Sequence, residues 1–121
     1  GKVIEIDSFL RGHPDDAARV FETHPELAFW RMNGERPLSE PKKKKSRAYP
    51  PGLELRRILL RNTGLPDAIV NMKPPKGAGE DDLIDALACL TTAQRIYRKT
   101  AQPFPDPPPR DEHGLPMAIW A

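Results

Sequence analysis

Between Leu83 and Ala93 one residue alone carries a charge, Asp85, set among Ile84, Ala86, Leu87, Ala88 and Cys89. A carboxylate is almost never fully buried unless it is paired or holds a metal. Two further acids stand close by in "EDDLIDALACLTTAQ": Asp82 three residues before Asp85, and Asp81 four before it. On a helix those spacings share one face, with Cβ atoms roughly 5–6 Å apart. Carboxylates that close repel one another unless a cation lies between them. An all-oxygen group of this kind suits Mg²⁺ or Mn²⁺ rather than zinc. The competing explanation is structural. Asp85 would then sit at the rim of the core and pair with Arg56, Arg57 or Lys99. The acids of the first turn would favour the positive end of the helix dipole, by about 0.3–1 kcal/mol each.

A second group of polar residues lies in "VFETHPELAFW". Residues 18–23 read as one short strand buried on both faces, which puts Ala18, Val20, Glu22 and His24 on one side. A carboxylate at the end of such a strand occupies the crevice where α/β folds carry functional groups. Glu22 is therefore a catalytic and metal-ligand candidate. His24 precedes Pro25, and its three readings are a direct role, a helix cap and a support for Glu22. Glu26 falls in the first helical turn, where the dipole accounts for it.

Basic residues form the third group. "KKKKS" lies in a polar, proline-punctuated segment, residues 35–51, which reads as an exposed loop. Lys43, Lys44 and Lys45, with Arg56 and Arg57, are candidates for phosphate contacts, which add affinity without sequence choice. A solvated run of like charge is the alternative.

The elements that must position these groups follow from periodicity. Residues 3–11 carry helical spacing, broken by "GHPDD". Pro25 suits a first helical position, and a short helix then runs to Met32 and stops at "NG". Residues 52–63 predict an amphipathic helix with Leu55, Ile58 and Leu59 on its apolar side, ended by Gly64. A short helix is expected within 66–72 and a long one over 80–99. Residues 101–116 are proline-rich without a packing pattern, and "MAIWA" closes the chain as a short strand. Two or three short strands at most, among these helices, are too few for an independent sheet of ordinary size. The reading is therefore a single partial domain, residues 1–121.

Composition narrows the class. With 121 residues, 38% apolar and 30% charged, the chain suits one globular domain. Its fifteen prolines are more than twice ordinary usage, so much of it is loop. No run of roughly 18 apolar residues is present, which argues against a membrane span, and no secretory leader pattern opens the chain. One cysteine, Cys89, permits no internal disulfide and reads as a small buried hydrophobe, in keeping with a cytoplasmic location. A net charge of +2 does not by itself argue for nucleic acid. The opening Gly1 suggests a processed or truncated chain.

"VFETHPELAFW", the basic "KKKKS" followed by "GLELRRILL", and "EDDLIDALACLTTAQRI", in that order, resemble domain-of-unknown-function family 429, a family predicted to comprise nucleases with an RNase H-like fold. The terminal "HGLPMAIWA" also looks like the close of that family. "DDLIDALA" is similar to the last active-site helix of RuvC-type nucleases, whose Asp-x-x-Asp-Ala pattern supplies metal ligands and maps onto Asp82 and Asp85. The resemblance implies an α/β fold, specifically the C-terminal half of an RNase H-like fold. Such folds open with a strand bearing an essential aspartate, which this chain does not match, since Asp7 lies in the first helical pattern. The remaining half would have been removed, supplied by another chain, or lost.

Three functions follow from this. One is a divalent-metal-dependent nuclease in which Glu22, Asp82 and Asp85 hold the ions, this chain being part of the domain. Another is a non-catalytic nucleic-acid-binding or interaction module. The last is a hydrolase of small phosphorylated substrates, since one fold hosts many chemistries. Exposed edges of a half-domain would favour self-association or pairing with the missing half.

Overall fold

The computed structural model describes residues 2–121, with side chains from residue 4 onward. Three helices build its core. Pro50 and Pro51 open α4 (Pro50–Asn62), where a missing N–H costs no hydrogen bond. Pro25 does the same for α3 (Pro25–Met32). The third, α6 (Glu80–Tyr97), receives both α3 and α4 on one side. Phe29, Leu53, Leu60, Ile84 and Ala88 meet in this interface, and Val70 of the short α5 (Asp67–Val70) closes it from one end. Gly64, at φ +100°, ends α4 in a conformation that glycine adopts without strain.

The buried stripe of α4 differs from the one expected. Leu53, Arg56, Leu59 and Leu60 face inward, whereas Ile58 is 45% exposed. An arginine takes a core position because a carboxylate from α3 meets it there. The helix is thus rotated relative to what hydrophobicity alone would choose.

The remaining elements are short. An N-terminal pair, α1 (Lys2–Arg11) and α2 (Pro14–Ala17), lies at the start of the chain, so "GHPDD" begins a helical turn instead of only breaking one. Residues 18–22 form no strand; only Thr23 pairs, in a single parallel bridge to Trp120. The segment 35–51, expected as a loop, contains an antiparallel hairpin, β1 (Lys43–Lys44) and β2 (Arg47–Ala48). The proline-rich segment contributes β3 (Pro103–Phe104), antiparallel to β4 (Ile119–Trp120). The result is a helix-rich α/β fold with few, short strands. Among the described residues no helix is long and apolar enough to cross a membrane.

Ile6 and Leu10 of α1, Phe21, Phe104 and Trp120 line an open groove of about 660 Å³. Trp120 meets Phe21 edge-on there, with ring centroids 5.2 Å apart.

Candidate carboxylate site at the start of α6

The first turns of α6 carry Asp81, Asp82 and Asp85, and each has a different partner. Asp82 Oδ2 accepts the backbone N–H of Gly79 at 2.8 Å, closing one of the helix's unpaired donors. Asp81 Oδ2 lies 3.0 Å from Lys43 Nζ. Lys42 Nζ donates to Asp85 Oδ2 at 2.6 Å. The other oxygen, Asp85 Oδ1, is buried and has no hydrogen-bond partner. Asp82 therefore serves the helix end, as the dipole explanation required, while Asp81 and Asp85 face cations of the hairpin.

The hairpin reaches α6 because of how its base is anchored. Gly52, buried in the first turn of α4, lies so close to Pro41 that a Cβ would run into the Pro41 carbonyl oxygen. From Pro41 the chain passes directly into Lys42 and Lys43. The Tyr49 N–H returns to the Lys42 carbonyl at 2.9 Å and closes the hairpin. Its two-residue turn, Lys45 and Ser46, holds φ at 51° and 63°, as the tight turns that match strand twist require. Lys44 Nζ stands 4.1 Å from the centre of the Tyr49 ring, a cation–π contact. Lys44, Lys45 and Arg47 are exposed and have no carboxylate partner among the described residues.

Charge at the site follows from these contacts. The Lys43 hydrogen bond holds the Asp81 carboxyl below the usual carboxylate range, and the same contact pushes the Lys43 ammonium upward.

Other expected residues lie elsewhere. Glu22 is exposed and lines the groove beside Phe21 and Trp120, and its carbonyl accepts the Trp120 N–H at 2.8 Å. Thr23 is the residue that reaches α6, donating to Cys89 Sγ at 3.3 Å. His24 is exposed at the N-cap of α3 and makes no side-chain cap hydrogen bond. Arg56, expected at phosphate, is 3% exposed and turned inward onto Glu26. Arg57 is engaged by Glu54 and Glu80. Glu26 thus holds an arginine in addition to sitting in the first helical turn.

The family model described as protein of unknown function (DUF429) matches residues 1–110. The chain belongs to this DUF429 family. The match stops before β4, so "HGLPMAIWA" lies outside it. No curated protein and no solved structure matches the chain.

A divalent ion would have to be held by the carboxylates of this DUF429 chain. Among the described residues, no three His, Cys, Asp or Glu side chains gather into a metal-holding group. Glu22, Asp82 and Asp85 are thus not brought together as one set. Mg²⁺, however, is commonly held by one or two carboxylates, with waters and substrate phosphates completing its shell. The unpartnered, buried Asp85 Oδ1 is the kind of acceptor such an ion satisfies, and Asp81 lies one helical turn away. Lys42 was missed from the sequence: as the first of four lysines, it carries no mark that separates it from its neighbours.

Proposed function

We propose that this chain carries the metal-binding helix of a divalent-metal-dependent phosphodiesterase acting on nucleic acid, as one part of a larger RNase H-like domain. The observation that carries the reading is Asp85, a carboxylate within an apolar helix whose Oδ1 is buried without a partner. Asp85 and Asp81 would hold Mg²⁺ or Mn²⁺. The chemistry such an ion supplies is Lewis-acid stabilisation of a phosphodiester oxygen and a more acidic bound water. The chain's own residues bind and orient: the hairpin cations beside the carboxylates offer phosphate contacts, and α6 fixes the spacing of the two acids. Titration of Mn²⁺ by calorimetry tests this. Binding by the wild type that disappears in Asp85→Asn supports the site, and equal binding by both proteins removes it.

A second reading, a nucleic-acid-binding module without catalysis, is favoured by the ammonium groups already neutralising Asp81 and Asp85. Lys44, Lys45 and Arg47 on the exposed hairpin would then be the binding surface. A binding constant for single-stranded DNA that falls steeply with salt, with no Mn²⁺ uptake, identifies this case.

A further inference from the structure

We propose that the cavity at the C-terminal end of α6 binds a phosphate group, with the guanidinium groups of Arg95 and Arg98 as its anchors. The site does not depend on the metal reading, because Arg95 stands about 21 Å along the helix from Asp81.

This cavity of about 260 Å³ opens between the ends of α4 and α6, where Asn62, Thr63, Gln94, Arg95, Arg98 and Thr100 line it. Among the described residues no carboxylate lines it. Arg95 and Arg98, at i and i+3, share one face of the helix. The buried and half-buried arginines of the described residues are Arg31, Arg56, Arg57, Arg61 and Arg95. Each of the first four meets a carboxylate, and Arg95 meets none among the described residues. Neither Arg95 nor Arg98 donates a side-chain hydrogen bond within the described residues, and the side-chain amides of Asn62 and Gln94 make none either. A guanidinium partly withdrawn from water needs acceptors for its N–H fork.

The ordinary task of a cation in this place, serving the last carbonyls of α6, is already done by backbone. The Gln94, Arg95 and Ile96 carbonyls accept the N–H groups of Arg98, Thr100 and Lys99. Thr63, Thr91 and Thr100 likewise spend their hydroxyl protons on carbonyls. The free donors of the cavity are therefore the two guanidinium groups and the two amides. Burial, and then the charge of nearby Arg31, push the Arg95 guanidinium below its ordinary range. Glu35 pairs with Arg31, whose buried Nε still has no partner. The three arginines thus carry more positive charge than the protein neutralises. An anion with several acceptor oxygens meets that excess, and the planar fork of arginine matches the geometry of phosphate.

The test follows the arginine Nε–H signals by NMR while inorganic phosphate, and separately a short oligothymidylate, is titrated into the wild type, Arg95→Gln, Arg98→Gln and Arg110→Gln. Arg110 is exposed and lies outside the cavity, so it serves as the control. The ligand should shift the Arg95 and Arg98 signals saturably. Arg95→Gln and Arg98→Gln should each weaken binding about tenfold or more, and Arg110→Gln should leave it unchanged. An oligothymidylate that moves the same signals and displaces phosphate identifies the group as part of a nucleic-acid backbone. Signals moved by phosphate alone identify a free phosphate or a small phosphorylated molecule. Either result supports the site. No saturable shift with either ligand, or equal affinity in the wild type and Arg95→Gln, overturns it. Equal losses in Arg95→Gln and Arg110→Gln reduce the effect to diffuse attraction and overturn it as well. Should Arg95→Gln fail to fold, Arg98→Gln decides by the same tenfold criterion, because Arg98 is exposed.

Discussion

Arg56 and Glu26 are joined across the α3–α4 interface by two parallel hydrogen bonds, from Nε to Oε1 at 3.1 Å and from Nη2 to Oε2 at 2.8 Å. Arg56 Nη1 also donates to the carbonyls of Glu40 and Gly52, and the guanidinium faces the Phe29 ring at 5.6 Å. One arginine therefore ties α3, α4 and the segment leading to the hairpin. Removing one partner of such a pair leaves a buried charge without its counter-ion, which costs about 3–5 kcal/mol where both are buried. Glu26 is 38% exposed, so water offsets part of this. Glu26→Gln should lower unfolding stability by about 2–3 kcal/mol in urea denaturation. Arg56→Ala, which also opens a cavity and strands two carbonyls, should cost more.

Glycine in a helix ordinarily loses about 1 kcal/mol to alanine. At Gly52 the sign reverses. The space a Cβ needs is taken by the Pro41 carbonyl, which is backbone and cannot swing aside. Gly52→Ala should therefore destabilise the protein by about 1–3 kcal/mol, as overpacking does. Hydrogen exchange of the hairpin amides should quicken as Pro41 is pushed off, and an increase in melting temperature would contradict this placement.

The helices were legible because their signals are local. Proline at the starts of α3 and α4, Gly64 after α4 and the apolar period of α6 each act within a few residues. Asp85 was legible for the same reason, as one charge in an apolar stretch. Its partner was not, because Lys42 reaches it from 43 positions away through a hairpin in a segment that carries no alternating pattern. Arg56 looked like a surface cation because hydrophobicity does not register that Glu26 waits for it. The strand expected at 18–23 failed for want of neighbours: among the described residues Trp120 alone pairs with it, at Thr23.

Acid should loosen two surface contacts. Asp81, held low by the Lys43 hydrogen bond, and Asp111, held low by the N–H groups of Leu115 and His113, both have folded pKa values below their unfolded ones. Their contributions are complete above the unfolded value of about 3.9 and vanish as pH falls through the folded values. Lys43 is raised, so its share is complete below about 10.4 and is lost as pH rises through its folded value. The Asp81–Lys43 pair thus contributes between roughly pH 4 and pH 10, with salt weakening it. Carboxyl titration by NMR should show Asp81 moving back toward its ordinary value in Lys43→Met. An unchanged Asp81 titration would remove the pair.

Glu22 and Asp85 belong to different surfaces in this chain, although both carry the chemistry of a metal ligand. Glu22 opens onto the groove between α1 and β4, and Thr23 is the neighbour that contacts α6 at Cys89. Successive side chains of an extended segment point to opposite sides, so the backbone that aims Thr23 at α6 turns Glu22 away. Glu22→Gln should accordingly leave Mn²⁺ affinity within about twofold of wild type, whereas Asp85→Asn abolishes it. Twofold in affinity is about 0.4 kcal/mol, much less than loss of a charged ligand removes. The comparison is made by calorimetry at one salt concentration. A tenfold loss in Glu22→Gln would require Glu22 to approach α6 when metal binds, and the proposed two-carboxylate site would then be replaced by a three-carboxylate one.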